Sequence, residues 1–420
     1  MNCVKVDYKI VTDCRIEYIC AFQGEWKKYF TEEPFYAEYT CPIKNVPASI
    51  AVLPVLGTLL PVSWLFDAEI CVDALDADFY NAIPAFKKGY MDMYPQLQFA
   101  GKLTVSRIEK NETGGEKCAS LFSGGVDAFH TLLGHMEEKP DLLTVWGADV
   151  TADNEKGWQK VQEHLDMVAE RWALDGIVIR SSLRSVLNDE ALSGYTLRTA
   201  RDNWWHGFQH SLGMFGLSAP IAYVKGYSKI YIASSFTMAD KGNYTCASDP
   251  TIDNYVRFCG CDIVHDGYEC NRQDKIKSIC DYAKKKKMQI PLRVCWESTE
   301  GTNCCVCEKC FRTMLAIYAE KQHPADFGFG EDKREISALF NINDAIFANG
   351  NFKDSRYHCV WDRMHENYTK REVEPCLRWF YNTNITALVK RFKNKDRNER
   401  LIRKLKRAPR RILAKIRGEK

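Results

Sequence analysis

A short glycine-containing segment of the chain combines residue types suited to phosphate binding. The apolar run before it, residues 118–122, predicts a buried strand, and apolar residues at helical spacing after it predict a helix. Paired glycines between them predict a sharp turn that aims backbone N–H groups and the helix N-terminus at one point. An ordinary strand–turn–helix corner is the alternative. The candidate phosphate-binding residues are Ser123, Gly124, Gly125, Val126 and Asp127.

The side chains of this segment add chemistry of their own. Ser123 offers a hydroxyl donor, and Asp127 either holds a metal ion on the phosphates or caps the helix. The segment resembles the PP-loop of the ATP pyrophosphatase superfamily, written SGGxDS, and it lacks the GxxxxGK[ST] spacing of a Walker loop. The resemblance implies ATP and Mg²⁺ as cofactors, cleavage of ATP between its α and β phosphates, and adenylation of a substrate oxygen. Ala128 replaces the family's serine, so one hydroxyl contact to phosphate is absent.

A cysteine group forms the second chemical motif. Cys304, Cys307 and Cys310 are spaced C-x2-C-x2-C, and Cys295 lies upstream with eight residues between it and Cys304. Four thiolates can close a tetrahedral zinc site, whereas Cys305 does not fit the spacing and is predicted to be a bystander. An iron–sulfur cluster is the competing interpretation, because the same spacing also serves such clusters.

The order of these two motifs resembles that of the 7-cyano-7-deazaguanine synthases, in which an SGGxD loop precedes a C-terminal zinc site. The resemblance covers about residues 118–320. It implies that Arg272 and Lys275, at the start of a basic helix over 272–284, face the site as catalytic cations that neutralise phosphate charge. A solvated helix face is the alternative for both. Because both chain ends lie outside the resemblance, we expect a relative with a different substrate.

The elements that position these motifs alternate between strand and helix. Such alternation predicts an α/β fold with a parallel sheet, helices on both faces and the PP-loop topology that the resemblance implies. Ligands of such sheets sit beyond the carboxyl ends of the strands. We therefore expect residues 123–127, 147–149, 180–182 and 234–236 to converge, the first on phosphates and the next two on adenosine. Predicted strands are 142–145, 176–180 and 229–234, and predicted helices are 154–172 and 202–217.

The flanking regions set the expected domain organisation. Residues 1–105 are predicted to form a strand-rich α+β accessory domain, 106–325 the ATP-binding domain with its metal site, and 326–388 a helical extension. Residues 47–66 carry no charge, but prolines and a glycine interrupt them, which favours a buried loop with short helical turns over a membrane span. Predicted N-terminal elements are strands 4–12, 16–22, 69–73 and 102–106, and a helix over 76–90 that Pro84 kinks or splits.

The last segment, 389–420, is a basic tail. Fifteen Lys or Arg against three Asp or Glu give it a net charge of +12, which leaves about −9 for residues 1–388 of a chain whose total is +3. Apolar residues at near-helical spacing predict an amphipathic helix. An anionic membrane surface and RNA are the expected partners of such a tail, with a solvated tail as the alternative.

Composition narrows the class of protein. The 45% hydrophobic and 27% charged fractions are ordinary for a soluble globular chain, and 420 residues suit two or three domains. Eighteen cysteines without a signal-peptide pattern favour a reducing cytoplasm, with peripheral membrane attachment through the tail as an option. We expect an ATP-dependent ligase-type enzyme that acts on a small molecule, with a homodimer as one assembly. A tRNA-modifying thiolase and a nucleotide-binding module without turnover are the alternatives.

Overall fold

The computed structural model describes residues 2–330 except 296, 299 and 300, residues 354–387, and the single positions 390, 394 and 398. The chain divides into two compact units. The first comprises Met1–Asn271 with Pro291–Thr302, and the second Arg272–Ile290 with Asn303–Lys420. The units are described separately below.

The first unit is built on one mixed sheet of eleven strands flanked by helices, so the predicted α/β class is confirmed at that level. Six of the ten pairings between neighbouring strands are parallel. The strands are β1 (Asn2–Thr12), β2 (Arg15–Gln23), β3 (Phe35–Tyr39), β4 (Ala68–Asp76), β5 (Lys102–Glu109), β6 (Lys117–Leu121), β7 (Asp141–Trp146), β8 (Gly176–Ser181), β9 (Tyr227–Ala233), β10 (Arg257–Phe258) and β11 (Cys261–Asp266).

The helices of the first unit connect these strands and cover the sheet. They are α1 (Ala48–Ala51), α2 (Leu53–Leu65), α3 (Ala77–Met93), α4 (Val126–Gly134), α5 (Glu155–Trp172), α6 (Asp189–Thr199), α7 (His210–Lys225) and α8 (Pro250–Asp253). A turn of π-helix at Trp205–Gln209 leads into α7. The helical face predicted from Trp204, Phe208, Leu212 and Phe215 is confirmed as core, since all four side chains are at most 1% exposed.

The sheet order is β10-β11-β9-β6-β7-β8-β3-β2-β1-β4-β5. The consecutive parallel strands β6, β7 and β8 run outward in one direction, and the chain then returns to place β9 and β11 on the other side of β6. Numbered from β6, the five strands have the order 3-2-1-4-5. The carboxyl end of β6 therefore lies where the strand order reverses, which is the position at which open α/β sheets bind ligands.

The N-terminal strands continue the same sheet. Strand β3 pairs antiparallel with β8, with Ala37 opposite Ser181 and Tyr39 opposite Ile179. The alternating side chains of β3 bury Phe35, Ala37 and Tyr39 in the core. The position near residue 105, expected from sequence as a domain boundary, thus lies inside one compact unit.

The uncharged segment 47–66 is largely buried as expected, but it forms helices α1 and α2 in place of a loop with short helical turns. Pro54 stands in the first turn of α2, where proline is tolerated, and Pro61 lies inside the helix. All thirteen residues of α2 are buried. Helix α3 likewise continues through Pro84 as one helix, so the predicted split at this proline does not occur. Within the described part of the chain, no helix combines the length and apolar character needed to cross a membrane.

The second unit is helical in its described residues. Its helices are α9 (Arg272–Lys286), α10 (Glu308–Ala319), α11 (Asp354–Asn367) and α12 (Arg378–Asn382). Arg363 of α11 joins the other two long helices through Glu320 and Asp274, each at 3.3 Å. The helical extension predicted for 326–388 is described only in part, because 331–353 lie outside the described residues, as does almost all of the basic tail.

Candidate functional site

The glycine loop is anchored at the carboxyl end of β6. The Phe122 N–H donates to the Leu143 carbonyl of β7 at 2.8 Å, and the Thr144 hydroxyl donates to the Phe122 carbonyl at 2.7 Å. Four residues later the chain enters α4 at Val126, which is fully buried and contributes only its backbone to the loop. Strand, loop and helix thus follow one another as the sequence predicts.

Gly124 adopts a backbone conformation that favours glycine. Its φ is +76°, in the left-handed region. A Cβ placed on it would lie 2.6 Å from His164 Cε1 and 3.2 Å from Arg293 Cβ. The turn therefore needs glycine at this position for two reasons, the dihedral angle and the close approach of neighbouring side chains.

Arg293 holds the loop from one side, and sequence reasoning did not single it out. Its backbone N–H donates to the Gly124 carbonyl at 2.7 Å, and its guanidinium Nη2 donates to the Ser123 carbonyl at 2.7 Å. Burial lowers the pKa of Arg293, and the opposing charge of Asp149 counters that effect. Nothing in the local sequence, Leu-Arg-Val, marks this arginine as a loop ligand.

The bonded carbonyls determine where the loop's N–H groups point. In a trans peptide the C=O of one residue and the N–H of the next point in opposite directions. With the carbonyls of Phe122, Ser123 and Gly124 bound by Thr144 and Arg293, the N–H groups of residues 123, 124 and 125 point away from those partners. Successive N–H groups that point one way beside a helix N-terminus are typical of anion-binding sites, although here the Gly125 N–H is bonded to Ser123 Oγ.

The two polar side chains of the loop differ in surroundings. Ser123 is exposed, and its Oγ accepts the Gly125 N–H at 3.4 Å. Asp127 is partly exposed in the first turn of α4, where a carboxylate is favoured by the helix dipole. The cap position of α4 is occupied by Gly125, so Asp127 does not stand at the N-cap. Ala128 is 4% exposed, and its methyl group packs inward.

His164 of α5 lies behind the loop. Its Nε2 makes a hydrogen bond to the Pro291 carbonyl at 2.5 Å, and its ring stacks 6.2 Å from Phe122. Burial lowers the pKa of His164 to about 4; the Pro291 carbonyl opposes the shift and Arg293 adds to it. The imidazole is therefore neutral near pH 7 and donates from Nε2 to the carbonyl.

The ends of β7 and β8 meet closely. A Cβ on Gly147, whose φ is +113°, would lie 1.9 Å from the Ser181 carbonyl oxygen. The hydroxyls of Ser181 and Ser182 donate to the carbonyls of Tyr36 and Pro34, and Arg180 lies 4.0 Å above the Trp146 ring. The two serines thus stabilise the junction with β3 and its preceding residue, and Arg180 packs on Trp146. These contacts give no support to the adenosine binding expected of residues 147–149 and 180–182.

The two predicted catalytic cations lie in the second unit. Arg272 begins α9, where it lines a small cleft with Arg312 and Arg356, and Lys275 is 2% exposed on the same helix. The burial of Lys275 excludes the alternative of a solvated helix face for this residue. That either residue faces the loop of the first unit stays a prediction.

Three of the predicted metal ligands lie together at the start of α10. The sulfurs of Cys304, Cys307 and Cys310 all lie within 4.8 Å of one another, and those of Cys304 and Cys310 are 4.0 Å apart. Tetrahedral zinc–thiolate geometry places sulfurs about 3.8 Å apart for Zn–S bonds of about 2.3 Å. This cysteine cluster can therefore hold a metal such as zinc.

Backbone N–H groups support these sulfurs as the spacing predicts. Cys304 Sγ accepts the Cys307 N–H at 3.3 Å, and Cys307 Sγ accepts the Cys310 N–H at 3.4 Å. Cys295 has the same arrangement in its own segment, where its Sγ accepts the Ser298 N–H at 3.3 Å. Cys305 has a left-handed φ of +59°, and its sulfur interacts with the Asn303 carbonyl and the Gly330 N–H instead.

Comparison with family models and with curated proteins identified no relative of this chain. No family model matches the chain, and no curated protein matches it. A function for the chain must therefore be argued from the loop, the position of β6 and the cysteine cluster.

Proposed function

We propose that the chain is an ATP-dependent enzyme of the PP-loop type, which adenylates a carboxylate or amide oxygen of a small molecule and releases pyrophosphate. The observation that carries the proposal is the binding of the loop carbonyls by Thr144 and Arg293, which turns the N–H groups of Ser123 and Gly124 the other way. The location supports it as well, because the loop follows the strand at which the sheet order reverses.

In the proposed reaction the β and γ phosphates of ATP lie against the loop N–H groups and the N-terminus of α4. Asp127 holds Mg²⁺ on the phosphates, and Ser123 donates its hydroxyl to them. The α phosphorus then faces the substrate, whose oxygen attacks it, so pyrophosphate departs and no covalent bond to the enzyme forms in this step. Catalysis consists of positioning and charge neutralisation, for which Arg272 and Lys275 are the proposed cations.

The cysteine cluster has a structural role in this proposal. We assign it one Zn²⁺, with Cys295 as the fourth ligand because its sulfur accepts an N–H bond three residues ahead, as those of Cys304 and Cys307 do. Closed sites of four thiolates are structural, and their metal-binding energy is folding energy. An iron–sulfur cluster is the alternative, and metal and sulfide analysis of the purified protein separates the two.

The decisive experiment is product analysis with ATP and a pool of extracted metabolites. AMP and pyrophosphate are the expected products, whereas ADP and phosphate, or no ATP binding by calorimetry, contradict the proposal. Asp127→Asn should lower the rate by orders of magnitude, because it removes the charge that holds the metal ion. Asp189→Asn is the matched control, since Asp189 is also partly exposed in the first turn of a helix, α6, and should leave the rate unchanged.

Further variants of the loop separate ATP binding from turnover. Ser123→Ala should weaken the free energy of ATP binding by about 1–2 kcal/mol, because one hydrogen bond to phosphate is lost. Because Ala128 is buried, Ala128→Ser tests whether the family's hydroxyl can be restored without loss of folding. A chain that binds ATP with Mg²⁺ but forms no AMP in any metabolite pool would be a nucleotide-binding module instead of an enzyme.

A further inference from the structure

Three side chains of different chemical type lie together beside α4, outside the cysteine cluster. His130 belongs to α4, and Glu269 and Cys270 belong to the turn over residues 267–270 that follows β11. Each of the three offers one ligand atom, and these atoms all lie within 4.8 Å of one another. The Cys270 sulfur is 3.7 Å from Glu269 Oε1, so these two neighbouring side chains turn to the same side of the chain. Glu269 is exposed and the other two are partly exposed, so the group is open to solvent.

Asp266, the last residue of β11, fixes α4 against this turn. The Thr131 hydroxyl of α4 donates to one oxygen of the Asp266 carboxylate at 2.7 Å. The other oxygen makes a hydrogen bond with His135 Nε2 of the same helix at 3.1 Å. His130 directly precedes Thr131, and the turn directly follows Asp266. The two hydrogen bonds therefore hold the imidazole of His130 next to the turn that supplies the other two ligand atoms.

Backbone hydrogen bonds restrain the turn itself. The Met238 N–H, in the loop after β9, donates to the Tyr268 carbonyl at 3.0 Å. The Cys270 N–H donates to the Gly267 carbonyl at 3.4 Å, which closes the turn on itself. Ligand atoms carried by restrained backbone lose less conformational freedom when an ion binds. The arrangement is therefore formed to a large extent before binding.

The set of ligand atoms selects the kind of metal. An imidazole nitrogen, a carboxylate oxygen and a thiolate sulfur are the three ligand types that Zn²⁺ takes in proteins, whereas Mg²⁺ and Ca²⁺ take oxygen ligands. Tetrahedral zinc places such atoms about 3.3–3.8 Å apart. That spacing lies inside the 4.8 Å limit that the three atoms satisfy here. Three protein ligands leave one tetrahedral position for water or substrate, as in catalytic zinc sites.

We propose that His130, Glu269 and Cys270 bind one Zn²⁺, whose fourth coordination position is open to a small oxygen or nitrogen donor. This site shares no residue with the cysteine cluster, to which the proposed function assigns a closed, structural zinc. It requires neither ATP nor the adenylation reaction.

The proposed zinc site lies at the ligand-binding edge of the sheet. Strands β6, β9 and β11 are parallel neighbours, so their carboxyl ends share one edge. Asp127 and His130 are both partly exposed on α4 and stand three positions apart, which is about 4.5 Å along the helix axis. A small molecule bound to the zinc would therefore lie beside the glycine loop.

The first test measures protection of one thiol in the unmodified chain. The full chain is dialysed against a weak chelator, and half of it is reloaded with Zn²⁺; metal analysis confirms that the two samples differ in zinc. N-ethylmaleimide followed by peptide mapping should then modify Cys270 about tenfold or more slowly in the reloaded sample, because the metal occupies the sulfur. Cys14 is the internal control, since it is also partly exposed in a turn, and its rate should not change. Equal rates at Cys270 in the two samples overturn the proposal without any variant.

The second test counts zinc ions in variants by competition with a chromophoric zinc indicator. His130→Ala and Cys270→Ser should each bind one zinc ion fewer than the unmodified chain, whereas Cys14→Ser should bind the same number. The affinity of the affected site should fall by about 100-fold or more, because loss of a direct ligand costs more than loss of an outer partner. Circular dichroism checks that the variants are folded. Unchanged zinc uptake by both ligand variants means that the group is a hydrogen-bonded cluster without a metal, which overturns the proposal.

The third test examines the open coordination position with Co²⁺ in place of zinc. The difference spectrum between the unmodified chain and Cys270→Ser should contain a thiolate-to-cobalt charge-transfer band. Azide should shift the visible cobalt bands of that spectrum, because it enters the open position, and a spectrum that azide leaves unchanged overturns this part of the proposal. AMP formation by a chain that fails the metal tests refutes only the present proposal. Zinc binding at this site without AMP formation refutes only the ATP-dependent reaction.

Discussion

Replacing Gly124 by alanine tests the geometry of the loop most directly. The new Cβ meets two independent obstacles: a backbone φ of +76° and the His164 ring atom Cε1 at 2.6 Å. His164 has little room to give way, because its Nε2 is bound to the Pro291 carbonyl and its ring packs against Phe122 and Phe129. Gly124→Ala should therefore destabilise the chain and also displace the loop N–H groups.

The two obstacles contribute separable free energies. A side chain in the left-handed region costs about 1–2 kcal/mol, and overpacking costs about 1–3 kcal/mol, so the free energy of unfolding should fall by about 2–5 kcal/mol. Gly260→Ala is the matched control. Gly260 has a φ of +79°, and a Cβ there would meet nothing within 4 Å, so only the first cost of about 1–2 kcal/mol applies.

A double-mutant cycle measures the contact with His164. In a His164→Ala background, Gly124→Ala should cost only the dihedral contribution and the smaller contact with Arg293 Cβ at 3.2 Å, which gives a coupling of about 1–3 kcal/mol between the two sites. Urea unfolding followed by circular dichroism supplies the free energies, and calorimetry with ATP supplies the effect on binding. If Gly124→Ala proves no more costly than Gly260→Ala, the close approach of His164 to the loop is wrong.

The remaining predictions concern the metal, an ionisable core group, the loop ligand and the tail. Cys307→Ser should lose the metal and the fold of its helix by metal analysis and circular dichroism, whereas Cys305→Ser should retain both. His164 has a folded-state pKa of about 4 against an ordinary 6.5, so its contribution to the free energy of unfolding should be full above about pH 6.5 and lost as pH falls toward 4. The contribution is at most about 3 kcal/mol, and a free energy of unfolding that does not change between pH 7 and pH 4 would falsify this prediction. Arg293→Ala should weaken ATP binding by calorimetry about tenfold or more, since the Ser123 carbonyl loses its guanidinium donor while the backbone bond to Gly124 is kept. Deleting residues 390–420 should abolish salt-dependent binding to anionic vesicles or RNA while ATP binding is kept; equal binding by both forms excludes this role of the tail.

Sequence patterns located the loop and the parallel strands because each is encoded locally. Apolar runs of four to six residues, such as 142–145 and 176–180, became β7 and β8, and the paired glycines became a turn with a positive φ at Gly124. The thiol spacing likewise indicated the cysteine cluster, since i, i+3 positions bring sulfurs and backbone N–H groups together within one short segment.

Features that depend on distant parts of the chain could not be predicted in this way. Strand β3 has only five residues and gains its place by pairing with β8, about 140 residues later. Arg293 becomes a loop ligand only when its segment returns to residue 124. The sequence does not predict helix α2, because its prolines and glycine interrupt a helical pattern, whereas complete burial stabilises the helix.

The antiparallel pairing of β3 with β8 has a consequence for any attempt to isolate the ATP-binding segment. A fragment that begins near residue 106 would leave β8 with an unpaired row of N–H and C=O groups along an apolar strand, which is a template for aggregation or strand exchange. In the intact chain the sheet ends instead at β10, which has two residues, and at β5, whose outer positions include the charged Lys102 and Arg107. The N-terminal strands thus cover this edge of the sheet within the same chain, and we expect soluble expression of the segment to require them.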